Sequence, residues 1–231
     1  MMRENSIAKQ EVKDILLADI VLTVAMALTL SGGIVYSSGR SGFLGNFLVL
    51  IPITAVGVTL SFVLHELMHK FTAQRYGAIA GFRTSYTGLA ITLVTGAFGF
   101  LLGIPGATVI YAHSFTKRQN GIVSLAGPLT NFAVFGAFLA ARLALNPPTT
   151  SYLGATIYFT IFISILLAFF NMLPIFPLDG SKVLAWNKPI YFATMGVIFV
   201  LMVAFAPISI YTILFMFAIA IFFSMFYRNV L

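Results

Sequence analysis

The sequence predicts an all-α membrane protein with six transmembrane helices and a re-entrant β-hairpin-like segment between the second and third helices. Of its 231 residues, 60% are hydrophobic and only 8% are charged, whereas a soluble domain has about 25% charged residues. The apolar residues form successive runs close to the ~20 residues that a spanning helix needs. One of these runs is interrupted by glycines and by a Pro-Gly pair, which is unusual for a straight helix.

The elements follow in order along the chain. Residues 1–14 are polar and of mixed charge, which predicts a cytosolic N-terminal segment. The apolar run over residues 15–36 is longer than the ~7–15 residues of a signal-peptide core, so it is expected to stay as a membrane anchor. A single polytopic membrane domain over residues 15–231 accounts for the remaining sequence. Its further apolar runs cover residues 43–68, 88–112, 121–145, 152–174, 189–206 and 208–227.

The run over residues 88–112 is the one that is not expected to cross the membrane. It contains Gly96, Gly99 and Gly103, followed by the turn signal Pro105-Gly106. These residues predict a hairpin with its turn at 105–106. Irregular backbone at membrane depth has to be covered by protein or line a wet cavity, so this segment also indicates a site.

The distribution of Lys and Arg supports the same topology, because short cytoplasmic loops are enriched in both. If residues 88–112 enter and leave on one side, eleven of the 13 Lys and Arg residues are cytosolic and only Arg40 and Arg142 lie outside. If the segment crosses fully, the 13 divide seven to six. The re-entrant topology is therefore preferred, with both termini in the cytosol.

The composition also restricts the chemistry. There is no Cys, so a metal site has to use His, Asp or Glu. The net charge of +7 comes from scattered basic residues rather than a basic stripe, so no nucleic-acid partner is expected. Four of the six acidic residues precede residue 20, which leaves Glu66 and Asp179 in the long apolar part. Ionisable groups there are costly and usually functional.

The second predicted helix contains the motif His65-Glu66-Leu-Met-His69. Histidines at i and i+4 lie on one helical face and can bind one Zn²⁺, while the glutamate meets the water bound to the metal and acts as its base. The alternative is a hydrogen-bonded pair of core histidines beside an interfacial glutamate. The high cost of ionisable groups in an apolar helix favours the metal site.

A catalytic zinc ion needs a third protein ligand, and Asp179 is the only acidic residue after Glu66. It follows the fourth predicted helix, where prolines end the regular helix and Gly180 permits a tight turn. In the re-entrant topology Asp179, His65 and His69 all approach the cytosolic side. The alternative for Asp179 is the N-cap of a helix that starts at Gly180.

Three motifs together resemble the site-2 protease family of intramembrane zinc metalloproteases. They are His65-Glu66-x-x-His69, then Gly121-x-x-x-x-Ala126-Gly127-Pro128-Leu129-x-Asn131, and finally Asn171-x-x-Pro174-x-x-Pro177-Leu-Asp179-Gly180. The resemblance covers about residues 43–185. It implies one catalytic Zn²⁺ and hydrolysis of a peptide bond within or beside a membrane segment of a substrate protein, in regulated proteolysis or in clearance of membrane remnants.

The resemblance also implies roles for individual residues. His65, His69 and Asp179 would be the zinc ligands and Glu66 the general acid/base. Asn171 would contact the oxyanion or the substrate backbone, or else form an interhelical hydrogen bond. A strand edge near residues 107–112 could pair with an unwound substrate. The predicted substrate-binding residues are Asn131, Thr108, Val109, Ile110 and Tyr111.

The expected partners are thus a transmembrane protein or peptide and the lipid bilayer, with the protein in the plasma membrane and its active site near the cytosolic side. Two other functions remain open at this point. A metal transporter would use the His and Asp residues as a transit site, although polar groups along a path to both sides are expected for transport. An inactive binder of membrane segments would keep the same motifs.

Overall fold

A computed structural model describes residues 2–37, 41–111 and 114–206, together with residues 211, 213–214, 217–218, 221 and 225. The described part is mostly helical and contains one small sheet. Its elements are α1 (Met2–Leu30), α2 (Ile34–Ser37), α3 (Phe43–Val58), a π-helical turn (Thr59–Val63), α4 (Leu64–Arg75), β1 (Ile79–Thr84), α5 (Tyr86–Ala97), β2 (Gly106–Tyr111), α6 (Lys117–Leu145), α7 (Tyr152–Asn171), α8 (Asp179–Trp186) and α9 (Lys188–Phe205).

Four helices of the described residues are long and apolar enough to cross a membrane. They are Phe43–Arg75, which joins α3, the π-helical turn and α4, and then α6, α7 and α9. These four correspond to the second to fifth predicted helices. The predicted sixth helix, over residues 208–227, lies largely outside the described residues. The chain is therefore a helical membrane protein, as its composition indicates.

Helix α1 differs from its prediction in extent. It starts at Met2 and ends at Leu30, so residues 2–14 continue into the helix instead of forming a separate segment, and the helix ends earlier than residue 36. Glu11 and Asp14 in this polar half are buried. Their burial explains the difference, because Asp14 lies against Arg83 of strand β1 and Glu11 pairs with Lys70 of helix α4. Asp19 interrupts the apolar half of α1, which is not among the four candidate spans.

The segment around residues 88–112 is built differently from the predicted hairpin. The sheet contains two antiparallel strands, but β1 lies before this segment and helix α5 separates it from β2. Pro105-Gly106 is not a turn between strands, since Gly106 begins β2. In the register, Thr84 faces Gly106. The chain between them therefore leaves the sheet and returns to the same place.

Two threonines of α5 explain why the chain after this helix runs back along it to β2. Thr92 Oγ1 donates to the Leu102 carbonyl at 2.8 Å and accepts from the Ile104 N–H at 3.0 Å. Thr95 Oγ1 accepts from the Leu102 N–H at 3.1 Å. The irregular segment between α5 and β2 thus has backbone groups that hydrogen-bond to side chains. Irregular backbone requires such partners where water is scarce.

The helices pack in two apolar clusters that share α7. One cluster joins α7 to α6, α8 and α9 and includes the fully buried Phe169 and Met202. The other joins α7 to α1, α3 and β1 and includes Phe82, Phe159 and Ile163. Helix α4 lies between α6 and β1.

Candidate metal centre

Helix α4 presents two histidines on one face. His65 and His69 are one helical turn apart and both are buried. The π-helical turn, Thr59–Val63, lies directly before this helix. Such turns add a residue to a helix and occur often at functional sites. The Ser61 hydroxyl in this turn hydrogen-bonds the Ser164 hydroxyl of α7 at 2.7 Å, so the start of α4 is fixed against α7.

Asp179 reaches the same place from the loop between α7 and α8. It is the first residue of α8, whose N-cap is Leu178 with no side-chain capping bond. The N-cap alternative for Asp179 is therefore wrong. A Cβ on Gly180 would lie 2.1 Å from the carbonyl oxygen of Met172. The glycine is needed because the loop passes against α8, and this close approach sets the position of Asp179.

The three side chains form a compact triangle of ligand atoms. Asp179 Oδ2 lies 3.4 Å from His65 Nε2 and 3.0 Å from His69 Nε2. The two Nε2 atoms are 3.0 Å apart. Ligands ~2.0–2.1 Å from a tetrahedral zinc ion lie about 3.3 Å from one another. The triangle therefore fits one zinc ion. Among the described residues, His65, His69 and Asp179 form a group that could hold a metal ion.

Helix α6 supplies the support around the histidines. His69 Nδ1 lies 2.8 Å from the carbonyl oxygen of Val123, which places a proton on Nδ1 and leaves Nε2 free to bind a metal. A Cβ on Gly127 would lie 2.5 Å from His69 Nε2 and 2.6 Å from His65 Nε2. The bare backbone at Gly127 therefore provides the space beside the ligand atoms. Within the described chain, the buried His65 Nδ1 has no hydrogen-bond partner.

The carboxylate of Asp179 is surrounded by nitrogen atoms. Its Oδ2 faces both histidines, and its Oδ1 lies 3.6 Å from Lys182 Nζ, one turn along α8. Burial by itself raises the pKa of Asp179. Without a metal ion, the charge of a protonated His69, hydrogen bonds from His65 and His69 and the charge of Lys182 hold this pKa well below its usual range. The group is therefore ionised at neutral pH, as a metal ligand has to be.

Glu66 projects beside the histidines and contacts strand β2. Its Oε2 accepts hydrogen bonds from the Thr108 N–H at 2.9 Å and from the Thr108 hydroxyl at 2.8 Å. The other predicted substrate-binding residues of this strand, Val109, Ile110 and Tyr111, follow directly in β2. The structure thus brings the predicted base and the predicted substrate strand into direct contact.

The two asparagines have different surroundings. Asn171 ends α7 and its Nδ2 donates to the carbonyl of Leu167 in the same helix at 3.0 Å. This bond is not the interhelical one considered from the sequence. Asn131 lies one turn after Gly127 on α6 and is fully buried. Neither polar atom of its amide has a partner among the described residues, so a buried donor and acceptor remain available one helical turn from Gly127.

Sequence reasoning missed several residues that shape this site. Val123 contributes only a backbone carbonyl, which no motif reveals. Glu11 forms an ion pair with Lys70 on α4 at 2.6 Å, although both lie in stretches that look like solvated polar sequence. A usable signal for Glu11 was its spacing of three residues from Asp14, which places both acids on one face of a helix.

Comparison with known proteins relates this chain to a family of peptidases. The family model "Peptidase family M50" matches residues 147–206, which include Asn171 and Asp179. A protein of Methanocaldococcus jannaschii, "Putative zinc metalloprotease MJ0611", is 42% identical over 154 residues, which are 65% of this chain and 78% of that protein. No solved structure matches the chain significantly.

Two bacterial proteins with the same description are also similar. Rip2 of Mycobacterium tuberculosis is 33% identical over 178 residues, which cover 69% of this chain and 66% of Rip2. YwhC of Bacillus subtilis is 29% identical over 161 residues, which cover 62% of this chain and 72% of YwhC. The resemblance seen in the motifs thus extends over most of the length of these relatives.

Proposed function

Because this chain belongs to peptidase family M50, the site-2 protease family of zinc metalloproteases, we propose that it cleaves peptide bonds within or beside the membrane segments of other proteins. One observation carries the proposal. The buried His65, His69 and Asp179 converge between helices that are apolar enough to span a membrane. Ionisable groups are rarely retained in such a setting without a function.

His65 Nε2, His69 Nε2 and Asp179 Oδ2 would hold the zinc ion, leaving a fourth position open. When bound, zinc supplies a Lewis acid that activates water and polarises the scissile carbonyl. The protein residues orient these ligands and favour the ionised form of Asp179. Val123 fixes the tautomer of His69, and Lys182 lies against the second carboxylate oxygen of Asp179.

Glu66 is the residue proposed to move the proton. It follows His65 directly, so its side chain leaves the helix beside the ligand face. Its carboxylate would take a proton from the attacking water as the new C–O bond forms. It would then deliver that proton to the leaving nitrogen as the C–N bond breaks. Asn171 ends α7 close in sequence to Asp179, and its amide is proposed to contact the oxyanion or the substrate backbone.

The proposed topology has six spanning helices, with both termini and the zinc site on the cytosolic side. Two observations support it. Eleven of the 13 Lys and Arg residues fall on the cytosolic side in this topology. The register pair Thr84 and Gly106 brings both ends of the α5 segment together, which is expected of a segment that enters and leaves on one side. The plasma membrane is the proposed location.

A helical membrane segment hides its carbonyl groups in its own hydrogen bonds, so a substrate has to unwind before cleavage. Strand β2 is the proposed binding site for the unwound part, through strand addition. β2 pairs with β1 on one side only, and Thr108 on this strand already contacts Glu66. Asn131, with its unpartnered amide, is proposed to bind the substrate backbone deeper in the site.

Zinc content and cleavage of model membrane segments, measured together, test this function. The wild-type protein is expected to bind one zinc ion and to cleave the segments. Glu66→Gln should keep stoichiometric zinc and lose cleavage, whereas Asp179→Asn should weaken both. Zinc flux in proteoliposomes that is equal for wild type and Glu66→Gln would instead identify a transporter. A zinc-loaded wild-type protein that cleaves no segment would contradict the proposal.

A further inference from the structure

One residue of β2 restrains the carboxylate of Glu66 by two donors. The Thr108 N–H and the Thr108 hydroxyl both donate to Glu66 Oε2, at 2.9 Å and 2.8 Å. The hydroxyl also lies 3.1 Å from the main-chain carbonyl oxygen of Glu66. Strand β2 is therefore tied to α4 at the residue proposed to transfer the proton.

The backbone donor in this contact points away from the sheet. Thr108 faces Phe82 in the antiparallel register, and the Phe82 N–H also points outward, to Glu11 Oε1 at 3.3 Å. Opposite residues in such a ladder alternate between bonded and non-bonded pairs, so the outward N–H groups of β2 belong to residues 106, 108 and 110. A strand added to the outer edge of β2 would use the same groups.

The two glutamates at the two edges of the sheet differ in one respect. Glu11 Oε2 is paired with Lys70 Nζ at 2.6 Å, so the carboxylate at the β1 edge has a fixed countercharge. Within the described part of the chain, Glu66 forms no ion pair with Lys or Arg, and it is half-buried. The edge at β1 is thus closed by an ion-paired glutamate of α1, whereas the glutamate at the edge of β2 is held by the two donors of Thr108.

We propose that Glu66 caps the substrate-binding edge of β2 in the free protein, and that a substrate strand pairing with this edge takes the Thr108 N–H and releases the carboxylate. The inference rests on the proposed function, since it assigns Glu66 to proton transfer and β2 to substrate binding. Thr108 is then a positioning residue that couples the arrival of an extended segment to the availability of the base. One oxygen of the base stays occupied by Thr108 until a peptide strand is in place.

Binding of an uncleaved probe tests the competition directly. The probe is a fluorescein-labelled peptide of about 20 apolar residues with a central Gly-Ser-Gly, in nanodiscs. Glu66→Gln keeps an acceptor for Thr108, whereas Glu66→Leu has a similar size and no acceptor, and both variants should be inactive. The probe is expected to bind Glu66→Leu about tenfold more tightly than Glu66→Gln. This is the factor that one hydrogen bond to a polar partner provides. Equal affinities would overturn the proposal.

A second pair of variants identifies the donor. Thr108→Pro, made in both Glu66 backgrounds, removes the outward N–H without removing a bond to β1, and proline is tolerated at such edge positions. The affinity ratio should fall to about one, because no donor is left to compete for. A ratio that persists would show that Leu binds the probe by apolar contact, and would overturn the proposal.

Two controls keep the result readable. Zinc content reports whether each variant folds, since the three ligands are unchanged. If Thr108→Pro binds no zinc, Thr108→Val replaces it. This variant removes the hydroxyl but keeps the contested N–H, so the affinity ratio should stay above one, and a ratio that falls to one would overturn the proposal. The binding assay needs no cleavage, so it tests this inference separately from the proposed function. A wild-type protein that binds the probe but cleaves no membrane segment would contradict the proposed function alone.

Discussion

Phe82 and Thr108 lie opposite each other in the sheet, and each directs its backbone N–H outward to the carboxylate of a glutamate. On the β1 side the glutamate is Glu11, whose other oxygen binds Lys70, the residue that follows the proposed metal ligand His69. Helix α1 therefore braces both the sheet and the helix that carries two ligands. Lys70, the sequence neighbour of His69, is thus held by Glu11, which lies 59 positions earlier in the chain.

Removing the carboxylate of Glu11 is expected to destabilise the protein. Glu11→Leu leaves Lys70 without its partner and Phe82 without its acceptor, and breaking a buried ion pair costs about 3 kcal/mol or more. The thermal midpoint in detergent should fall clearly. The double variant Glu11→Leu with Lys70→Met removes both charges and should recover a large part of the loss. A double variant that is less stable than Glu11→Leu would contradict this account.

The space beside the ligands predicts the effect of a single methyl group. Gly127→Ala would place Cβ 2.5 Å from His69 Nε2, so the zinc affinity is expected to fall by more than about tenfold, or ~1.4 kcal/mol. Gly136→Ala on the same helix is the matched control, because no atom lies within 4 Å of its Cβ. Competition with a fluorescent chelator measures both. Equal zinc affinities of the two variants would show that Gly127 is not needed for space.

The close approach at Gly180 predicts a change at its neighbour Asp179. Gly180→Ala would place Cβ 2.1 Å from the Met172 carbonyl oxygen, and backbone has to move to relieve this contact. Zinc binding and cleavage should both be lost, because the carboxylate of Asp179 moves away from the histidines. Gly196→Ala in α9, which has no atom within 4 Å of its Cβ, should keep stoichiometric zinc. Full zinc content in Gly180→Ala would contradict the prediction.

Strand addition predicts that an outward donor away from Glu66 also matters. Ile110→Pro removes such an N–H and should lower cleavage of membrane segments by about tenfold, as expected for one lost backbone hydrogen bond to the substrate. Ile110→Ala is the control, because it loses the same packing against Ala73 and Ala78 but keeps the N–H. The comparison uses kcat/KM for both variants. Identical values would remove β2 as the substrate strand.

Much of the metal centre could be predicted because its donors are rare in this chain. With only Glu66 and Asp179 acidic beyond residue 19, few ligand sets were possible, and helical spacing placed His65 and His69 on one face. These inferences depend on local spacing and on scarcity, both of which can be read in one sequence.

The sheet could not be predicted because its partners are distant in sequence. Strand β1 has the sequence Ile-Ala-Gly-Phe-Arg-Thr, which is short and lacks a clear alternation, and it becomes a strand by pairing with β2. Helix α5 was taken for the first strand of a hairpin because its glycines weaken the helical pattern. The threonine hydroxyls that satisfy the return segment bridge residues seven to twelve positions apart, which no periodicity indicates.

The π-helical turn before α4 gives the reactive face its direction. Each residue of an α-helix rotates the next side chain by about 100°, and this turn contains one residue more than an α-helical turn would. Deleting a single residue from Thr59–Val63 would therefore swing His65, Glu66 and His69 together, away from Val123 and Asp179. The composition and apolar length of the helix would hardly change. The rotation of α4 about its axis thus depends on one additional residue in the π-helical turn. Deleting one residue there would abolish activity although every sequence motif remains.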